Sequence, residues 1–332
     1  MSSPASPRPI RLLHLSDIHF SKGRSWDADP ILRHLAKQIS DDVAAGLVPD
    51  LVVCTGDLAF SGQQHEYKLA KSWLESQLWP ALMPDSAPAL YRDRLLLVPG
   101  NHDVDRKRVD AVAEMVQTGL LAGGDQQRIA AVLGDASQRE TLLKRHAAYL
   151  GFYTAWLDTK QTLPWWQRML TINDQRLHVA GLDSAWMSCG DSDRNQLLLG
   201  SWQLKQTVDV AEAEGADWTI ALLHHPWDYL AEFDAREAQR DCRLHRDLIL
   251  RGHLHDPDVQ RTLFPDPDYN CLEIAAGCVY EHASYPNAFQ WIELHAKPRR
   301  VRVLHRIWLR GKWQPDRNQP GADQNGAVEI RL

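Results

Sequence analysis

Five apolar runs in this chain each end in a short segment of glycine and metal-ligating side chains. The runs read RLLHLS, DLVVCT, RLLLVP, TIALL and DLILR, and each has the length and composition of a buried β-strand. The segments that follow them are Asp17-Ile18-His19, Gly56-Asp57, Gly100-Asn101-His102-Asp103, His224-His225-Pro226 and Gly252-His253-Leu254-His255. Because open α/β sheets gather their ligand-binding residues at the carboxyl ends of strands, we expect these segments to meet at one edge.

The order of the elements predicts an α/β fold. Asp29-Pro30 resembles the start of a helix, and Gly46 is a plausible stop for it. Together with a helix over 64–79, this gives a β-α-β-α-β order that implies a parallel sheet. Strands are predicted over 11–15, 51–55, 94–98, 177–182, 218–223, 247–251, 271–275, 289–295 and 300–309, with a further helix over 201–214. The expected architecture is a four-layer α-β-β-α sandwich of two mixed sheets.

A single domain over 10–315 accounts for most of the chain. Residues 104–170 interrupt the strand pattern with apolar positions at helical spacing, such as Val109, Val112 and Val116. They are interpreted as a helical insert or cap, either a lid over the site or a packing element. Residues 1–9 are expected to be flexible, and the turn-rich tail over 316–332 is expected to be loose.

Composition limits the class of protein. A formal net charge of -6 argues against a general nucleic-acid-coating surface, although bound cations would still favour a small phosphorylated substrate. The 5 cysteines lack a Cys-x-x-Cys pair, as expected for reduced thiols. The Ser/Pro-rich N-terminus lacks the apolar core of a signal peptide, and no apolar run approaches the ~20 residues of a membrane span. A cytoplasmic location without membrane association is therefore the expectation.

The residue types in the five segments suit a pair of divalent cations. Two close cations need a bridging carboxylate and several neutral ligands, since too many carboxylates would cancel their Lewis acidity. Asp17 and His19 are two residues apart, as are His253 and His255, so each pair can turn toward one metal. Asp, Asn and His ligands suit Mn²⁺, iron or Zn²⁺, and the sequence does not choose between them.

Taken together, the segments resemble the calcineurin-like metallophosphoesterase superfamily, in a bacterial phosphodiesterase-like subgroup. That family's pattern is Asp-x-His, Gly-Asp, Gly-Asn-His-(Asp/Glu), a later His, and Gly-His-x-His, and all of it is present in order here. The resemblance implies a non-ligand role for His102 at the leaving oxygen or transition state, with Asp103 orienting it. The implied ligands are Asp17, His19 and His255 for one metal, Asn101, His224 and His253 for the other, and Asp57 as the bridge.

Several assignments around this core stay open. Either His224 or His225 could be the ligand, and similar family segments favour His224. Arg106 could hold a substrate phosphate, or belong to a solvated basic face. Tyr280 could stack on a substrate base, or be a core aromatic.

The resemblance implies a metal-dependent phosphoesterase that uses a metal-bridging hydroxide. The expected substrate is a small nucleotide-type phosphodiester. Two alternatives are a nuclease and a gated effector or partner module of a bacterial signalling or defence system, for which a protein partner is expected. An autonomous enzyme should cleave a generic diester once it holds metal, whereas a gated module should bind metal and stay silent.

Overall fold

The computed structural model describes residues 8–83, 92–190, 192–266, 270–280 and 286–332. Most of the expected flexible N-terminus, residues 1–7, lies outside the described residues. The strands are β1 (Ile10–Leu15), β2 (Leu51–Cys54), β3 (Leu95–Leu97), β4 (Trp166–Ile172), β5 (Gln175–Gly181), β6 (Trp218–Leu222), β7 (Leu248–Arg251), β8 (Asp258–Leu263), β9 (Asn270–Ala275), β10 (Ala288–Ala296), β11 (Arg299–Leu309), β12 (Lys312–Pro315) and β13 (Ala327–Arg331). The α-helices are α1 (Ser25–Ala44), α2 (Gln64–Trp73), α3 (Trp79–Leu82), α4 (Ala111–Gly123), α5 (Gln126–Gly134), α6 (Ala136–Leu143), α7 (Ala147–Leu157), α8 (Ser201–Glu214) and α9 (Glu232–His245).

The strands form two mixed sheets. A seven-stranded sheet has the order β12-β11-β10-β1-β2-β3, with β13 also paired to β11. Its β1, β2 and β3 are parallel, and β10 joins β1 in the antiparallel direction. The six-stranded sheet has the order β4-β5-β6-β7-β9-β8, with parallel β5, β6, β7 and β9 between antiparallel outer strands.

Alternating side chains along the strands create the layers. In β1, Leu12 belongs to the hydrophobic cluster between the two sheets, whereas its neighbour Leu13 belongs to the cluster under the helices. Val53 and Val52 of β2 divide in the same way, because successive side chains of a strand point to opposite faces. Both faces are therefore covered, as parallel sheets require, and the predicted α-β-β-α sandwich is confirmed.

The helical insert is divided between the two outer layers. Residues of α7, among them Tyr153 and Trp156, pack in the cluster of the seven-stranded sheet with α1 and α2. Residues of α4 and α5, such as Leu120 and Ile129, pack in the cluster of the six-stranded sheet with Leu204 of α8. The insert is helical as expected, but it builds the outer layers on both sides. Its last residues depart from the prediction, since β4 is a strand paired with β5.

Three boundaries differ from the sequence prediction. Helix α1 begins at Ser25, so Pro30 lies inside it instead of at its first position. The predicted helix over 64–79 is α2, followed by a π-helical turn and α3. The tail is ordered near its end: Asp323 accepts hydrogen bonds from the N–H groups of Asn325 and Ala327, and this turn leads into β13. Within the described ranges, no helix has the length and apolarity to cross a bilayer.

Candidate metal centre

Strand ends from both sheets converge on one site. Asp17 and His19 follow β1, Asp57 follows β2, and Asn101 follows β3 of the seven-stranded sheet. The histidine segments that begin at 224 and 253 follow β6 and β7 of the six-stranded sheet. Ligand atoms within 4.8 Å of one another form four groups, which are Asp17, His19 and His255; His224, His225 and His253; His19, Asp57 and His102; and Asp17, Asp57 and His224.

The first group surrounds the buried Asp17 carboxylate. Its Oδ1 lies 3.1 Å from His255 Nε2, and its Oδ2 accepts the backbone N–H of His253 at 3.2 Å. His19 lies beside it, with Nε2 3.4 Å from Asp57 Oδ2. One carboxylate and two imidazole nitrogens therefore converge here, which is a donor set that suits a divalent cation.

The second group centres on His224. Its Nε2 lies 3.2 Å from both Asn101 Oδ1 and Asp57 Oδ2, and 3.2 Å from His253 Nδ1. The same Asp57 oxygen faces His19 in the first group. Asp57 thus lies between the two groups, as a bridging ligand must, and the donor types fit a pair of divalent cations.

Backbone carbonyls orient two of the imidazole rings. His19 Nδ1 lies 3.3 Å from the carbonyl oxygen of Tyr280, and His224 Nδ1 lies 2.7 Å from that of Thr55. A carbonyl only accepts, so Nδ1 carries a proton in both rings and Nε2 is the nitrogen that faces the centre and would bind a cation. Such a partner on the remote nitrogen is usual for histidines that bind metals.

His225 also reaches the centre, but its hydrogen bonds differ. Ser184 Oγ accepts the backbone N–H groups of His224 and His225, and it lies 2.9 Å from His225 Nδ1. The Ser184 hydroxyl proton therefore points at Nδ1, which leaves the ring proton on Nε2. That N–H faces Asn101 Oδ1 at 3.2 Å. His225 accordingly donates to an expected ligand, and His224 is the histidine whose Nε2 can give up its proton to a cation.

His102 and Asp103 do not interact as expected. The His102 Nδ1 proton is accepted by the carbonyl of Phe60 at 2.7 Å, and the Phe60 ring stacks on the imidazole. Asp103 points the other way, into the protein, where it binds the loop after β2. Its partners are the N–H groups of Leu58, Ala59 and Gly100 and the hydroxyl of Tyr67. The expectation that Asp103 orients His102 is wrong, because adjacent side chains on this turn diverge.

Left-handed backbone conformations are concentrated among the expected ligands. The non-glycine residues with positive φ include Asp17 at 55°, His19 at 56°, Asp57 at 54°, His253 at 75° and His255 at 59°. This region costs an L-residue about 1 kcal/mol or more, and such strain typically lies at functional sites. The surrounding fold holds these turns in place.

Glycines beside the ligands allow close approach. A Cβ at Gly56, where φ is +100°, would lie 2.4 Å from His224 Nδ1. A Cβ at Gly252 would lie 2.0 Å from Ser16 Oγ and 2.8 Å from Asp17 Oδ2. Any larger residue would push a ligand out of position, as the sequence pattern indicated.

The charges of the buried groups are strongly coupled. Burial raises the pKa of Asp17, but the hydrogen bond from His255 and the nearby His224 outweigh it and lower the pKa to about 2. Burial lowers the pKa of His224, but the Asp57 carboxylate outweighs it and raises the pKa to about 9. Burial and the adjacent His224 lower the pKa of His253 to about 3. The carboxylates therefore stay ionised, and an imidazolium balances them where a cation would sit.

A cleft of about 410 Å³ opens beside His102. It is lined by Asn101, Phe60 and Gln63, and by the basic residues Arg106 and Lys107. Arg106 therefore lines the cleft beside His102, a position from which it could contact a substrate phosphate. Tyr280 is only 2% exposed, so its ring cannot stack on a substrate base, and that expectation is wrong. The residue instead contributes its backbone carbonyl, which orients His19.

Comparisons with known proteins show several similar chains. One relative, the uncharacterized metallophosphoesterase-like protein YydB of Bacillus subtilis (strain 168), is 21% identical over 330 residues, 97% of this chain and 65% of that protein. The chain thus spans less than two thirds of that relative's length. Among solved structures, zinc-complexed Vps29 of Entamoeba histolytica aligns at 9% identity and a TM-score of 0.38, covering 92% of this chain and 97% of the other. The sulfate thiohydrolase SoxB of Thermus thermophilus aligns at 15% identity and a TM-score of 0.42, covering 94% and 56%.

The strongest link is to a family. The family model described as calcineurin-like phosphoesterase matches residues 10–257, well over half of the chain. The matched range contains all five segments that hold the expected metal ligands. The chain therefore belongs to the calcineurin-like phosphoesterase family.

Proposed function

We propose that this protein is a dinuclear phosphodiesterase that hydrolyses a small nucleotide-type phosphodiester. The observation that carries the proposal is the position of Asp57. Its Oδ2 faces the histidines of both ligand groups, and its Oδ1 accepts the backbone N–H of His102 at 2.8 Å. One carboxylate thus connects the expected metal pair to the residue beside the substrate cleft.

The residues have separable roles in this mechanism. Two bound divalent cations would supply Lewis acidity and a water of lowered pKa at neutral pH. One cation would be held by Asp17, His19 and His255. The other would be held by Asn101, His224 and His253, and Asp57 would bind both cations. His225 fixes the Asn101 amide through its Nε2–H. We propose Mn²⁺ or iron as the bound metals, with Zn²⁺ as an alternative, since this mixed donor set accepts all three.

His102 is the proposed general acid. Its Nδ1 proton is held by the Phe60 carbonyl, so Nε2 is the nitrogen that can exchange a proton with the substrate. As the P–O bond to the leaving group breaks, a proton on Nε2 passes to the departing alkoxide oxygen. Such proton transfer typically contributes about 10²–10⁴-fold to the rate. The neighbouring Phe60 carbonyl keeps the ring from turning away.

The shape of the cleft supports a diester. Its volume of about 410 Å³ extends from Asn101 and His102 past Phe60, which leaves room for a leaving group larger than water. Phe60 offers an apolar surface to a sugar or base, and Arg106 and Lys107 offer charge to a further phosphate. These features favour a nucleotide-type substrate with two substituents on the scissile phosphate.

The test combines metal analysis of the purified protein with hydrolysis of two esters. Bis(p-nitrophenyl) phosphate and p-nitrophenyl phosphate are compared with and without added Mn²⁺. Two metals per chain and faster cleavage of the diester are the expected result. Two metals without turnover of either ester would favour a gated partner module. A chain that binds no metal under any loading condition would overturn the proposal.

A further inference from the structure

A second, basic groove lies between α2 and α7. Its volume is about 370 Å³, and its lining includes Lys68 and Lys71 of α2 and Arg108 of the turn that follows the His102 segment. Its floor is apolar and includes Ala148 and Gly151 of α7. We call this cavity the basic groove. None of its lining residues belongs to the metal centre described above.

The basic groove carries uncompensated positive charge. Lys68 and Lys71 are three residues apart on α2, so they share one helix face. Among the residues described by the structure, neither has a carboxylate within ion-pair distance. Arg108 has Asp105 at 3.3 Å, which neutralises only part of the positive charge. In a chain of net charge -6, such a cluster marks a surface suited to an anion.

The basic groove lies next to the substrate cleft. Gln63 and Lys107 line the cleft, and the next residues along the chain, Gln64 and Arg108, line the basic groove. Adjacent residues of the chain therefore line the two cavities at two places. Basic side chains extend from Arg106 and Lys107 beside His102 to Arg108 and the lysines of α2, and Asp105 is the acidic residue among them.

We propose that the basic groove binds the backbone phosphates of a short single-stranded oligonucleotide whose scissile phosphodiester lies at the metal centre. This inference rests on the proposed phosphodiesterase function and names its substrate class. Successive phosphates of one strand match a line of cations that begins beside the reacting phosphate. Phe60, in the cleft, offers a ring on which a base near the scissile bond can stack.

The shape of the charged surface favours this occupant over other polyanions. An acidic peptide would explain charge in the basic groove, but it gives no reason for the position of the groove next to a phosphodiester site. The cavity is also small and local, which suits a flexible single strand. The rest of the chain is acidic on balance, so the inference does not imply general coating of nucleic acid.

The first arm of the test measures binding without catalysis. A fluorescein-labelled thymidine octanucleotide is titrated with EDTA-treated full-length protein, and fluorescence anisotropy is recorded over a series of salt concentrations. The Lys68→Gln/Lys71→Gln variant is compared with a matched control, Lys205→Gln/Lys312→Gln, which removes two exposed lysines from α8 and β12. We expect about tenfold weaker binding and a smaller salt slope in the first variant only, because each lost phosphate contact reduces the slope by about 0.7.

The second arm measures catalysis with added Mn²⁺. The lysine variant should lose about tenfold in kcat/KM on the octanucleotide and keep the wild-type rate on bis(p-nitrophenyl) phosphate, which cannot reach the basic groove. Failure of the wild type to cleave any diester would refute the proposed function. The anisotropy titration would still test whether the basic groove binds the oligonucleotide. Equal effects in both lysine variants, or equally tight binding of an octaglutamate peptide, would overturn this inference.

Discussion

The Nδ1 atom of His102 lies 2.7 Å from the carbonyl oxygen of Phe60, and no carboxylate takes that position. A backbone carbonyl holds the ring without adding a negative charge beside the leaving group. The ring's orientation therefore depends on the fold of the loop after β2. The Asp103 carboxylate holds that loop in place, because it accepts hydrogen bonds from the N–H groups of Leu58 and Ala59.

Replacing His102 should separate catalysis from metal binding. In His102→Ala we expect two metals per chain and a fall in kcat of about 10²–10⁴-fold on bis(p-nitrophenyl) phosphate, because only the proton donor is lost. Metal analysis and steady-state kinetics measure both quantities. His65→Ala, at an exposed histidine of α2, is the control and should resemble the wild type. A His102→Ala enzyme with unchanged kcat would contradict the assigned role.

Replacing Asp57 should affect both metals together. Asp57→Asn removes a charge that faces His19 and His224, so we expect loss of more than one metal per chain at Mn²⁺ concentrations that saturate the wild type. Metal content after desalting is the measurement. Glu232→Gln, at an exposed carboxylate on α9, serves as the control. Loss of a single metal with the other held at full occupancy would argue against a bridging role.

The adjacent histidines 224 and 225 offer a matched pair. His224→Phe removes an expected ligand, so it should abolish binding of the second metal even at saturating Mn²⁺. His225→Phe removes the N–H that faces Asn101 and the acceptor of the Ser184 hydroxyl, and its ring can still pack against Tyr229. We expect about 10–100-fold weaker affinity but two metals at saturation, as for other partners of metal ligands. Identical metal contents in the two variants would show that the tautomer argument is wrong.

Asp103 should matter chiefly for stability. Asp103→Ala leaves three buried N–H groups without their acceptor and removes one of the two acceptors of the Tyr67 hydroxyl, which keeps the backbone carbonyl of residue 103. Each unsatisfied group costs about 1–3 kcal/mol, so the free energy of unfolding should fall by about 3 kcal/mol or more. Urea denaturation of the metal-free protein measures this change. If Asp103→Ala unfolded like the wild type and lost only activity, the carboxylate would have a catalytic role after all.

Metal affinity should rise with pH. The Asp57 carboxylate raises the pKa of His224 to about 9 against the opposing effect of burial, so the metal-free protein keeps this imidazole protonated at pH 7. A cation must displace that proton, and one displaced proton gives about a tenfold gain in affinity per pH unit until the pKa is reached. Mn²⁺ titrations from pH 7 to 9 should show this gain, with a plateau above. A flat affinity across that range would contradict the coupling.

The strand-end residues could be predicted because their chemistry is local. Asp17, His19 and the later histidines follow apolar runs in the sequence, and parallel strands bring their ends together. The roles of Ser184, Tyr280 and Phe60 were missed, because they act on the histidines through a hydroxyl or a carbonyl. Backbone groups leave no residue signature, and Ser184 follows β5 without a charge or a motif to mark it.

Tertiary contacts also decided the parts of the fold that the sequence analysis misplaced. The apolar spacing of 104–160 correctly predicted helices, but it could not show that α7 and α4 would pack on different sheets. The polar helix α9 and strand β8 were overlooked, because much of each faces solvent. Strand β13 depends on pairing with β11, a partner distant from the turn that precedes it.

The origin of the ligands in two separate sheets has a mechanical consequence. Asp17 and Asn101 follow strands of one sheet, and His224 and His255 follow strands of the other. Bound cations would therefore cross-link the two sheets. Separation of the two sheets would then break coordination bonds and also expose the apolar cluster between them. Metal binding would therefore raise the free energy of unfolding of the whole fold. Loss of the metals would lower both the stability and the activity of the protein.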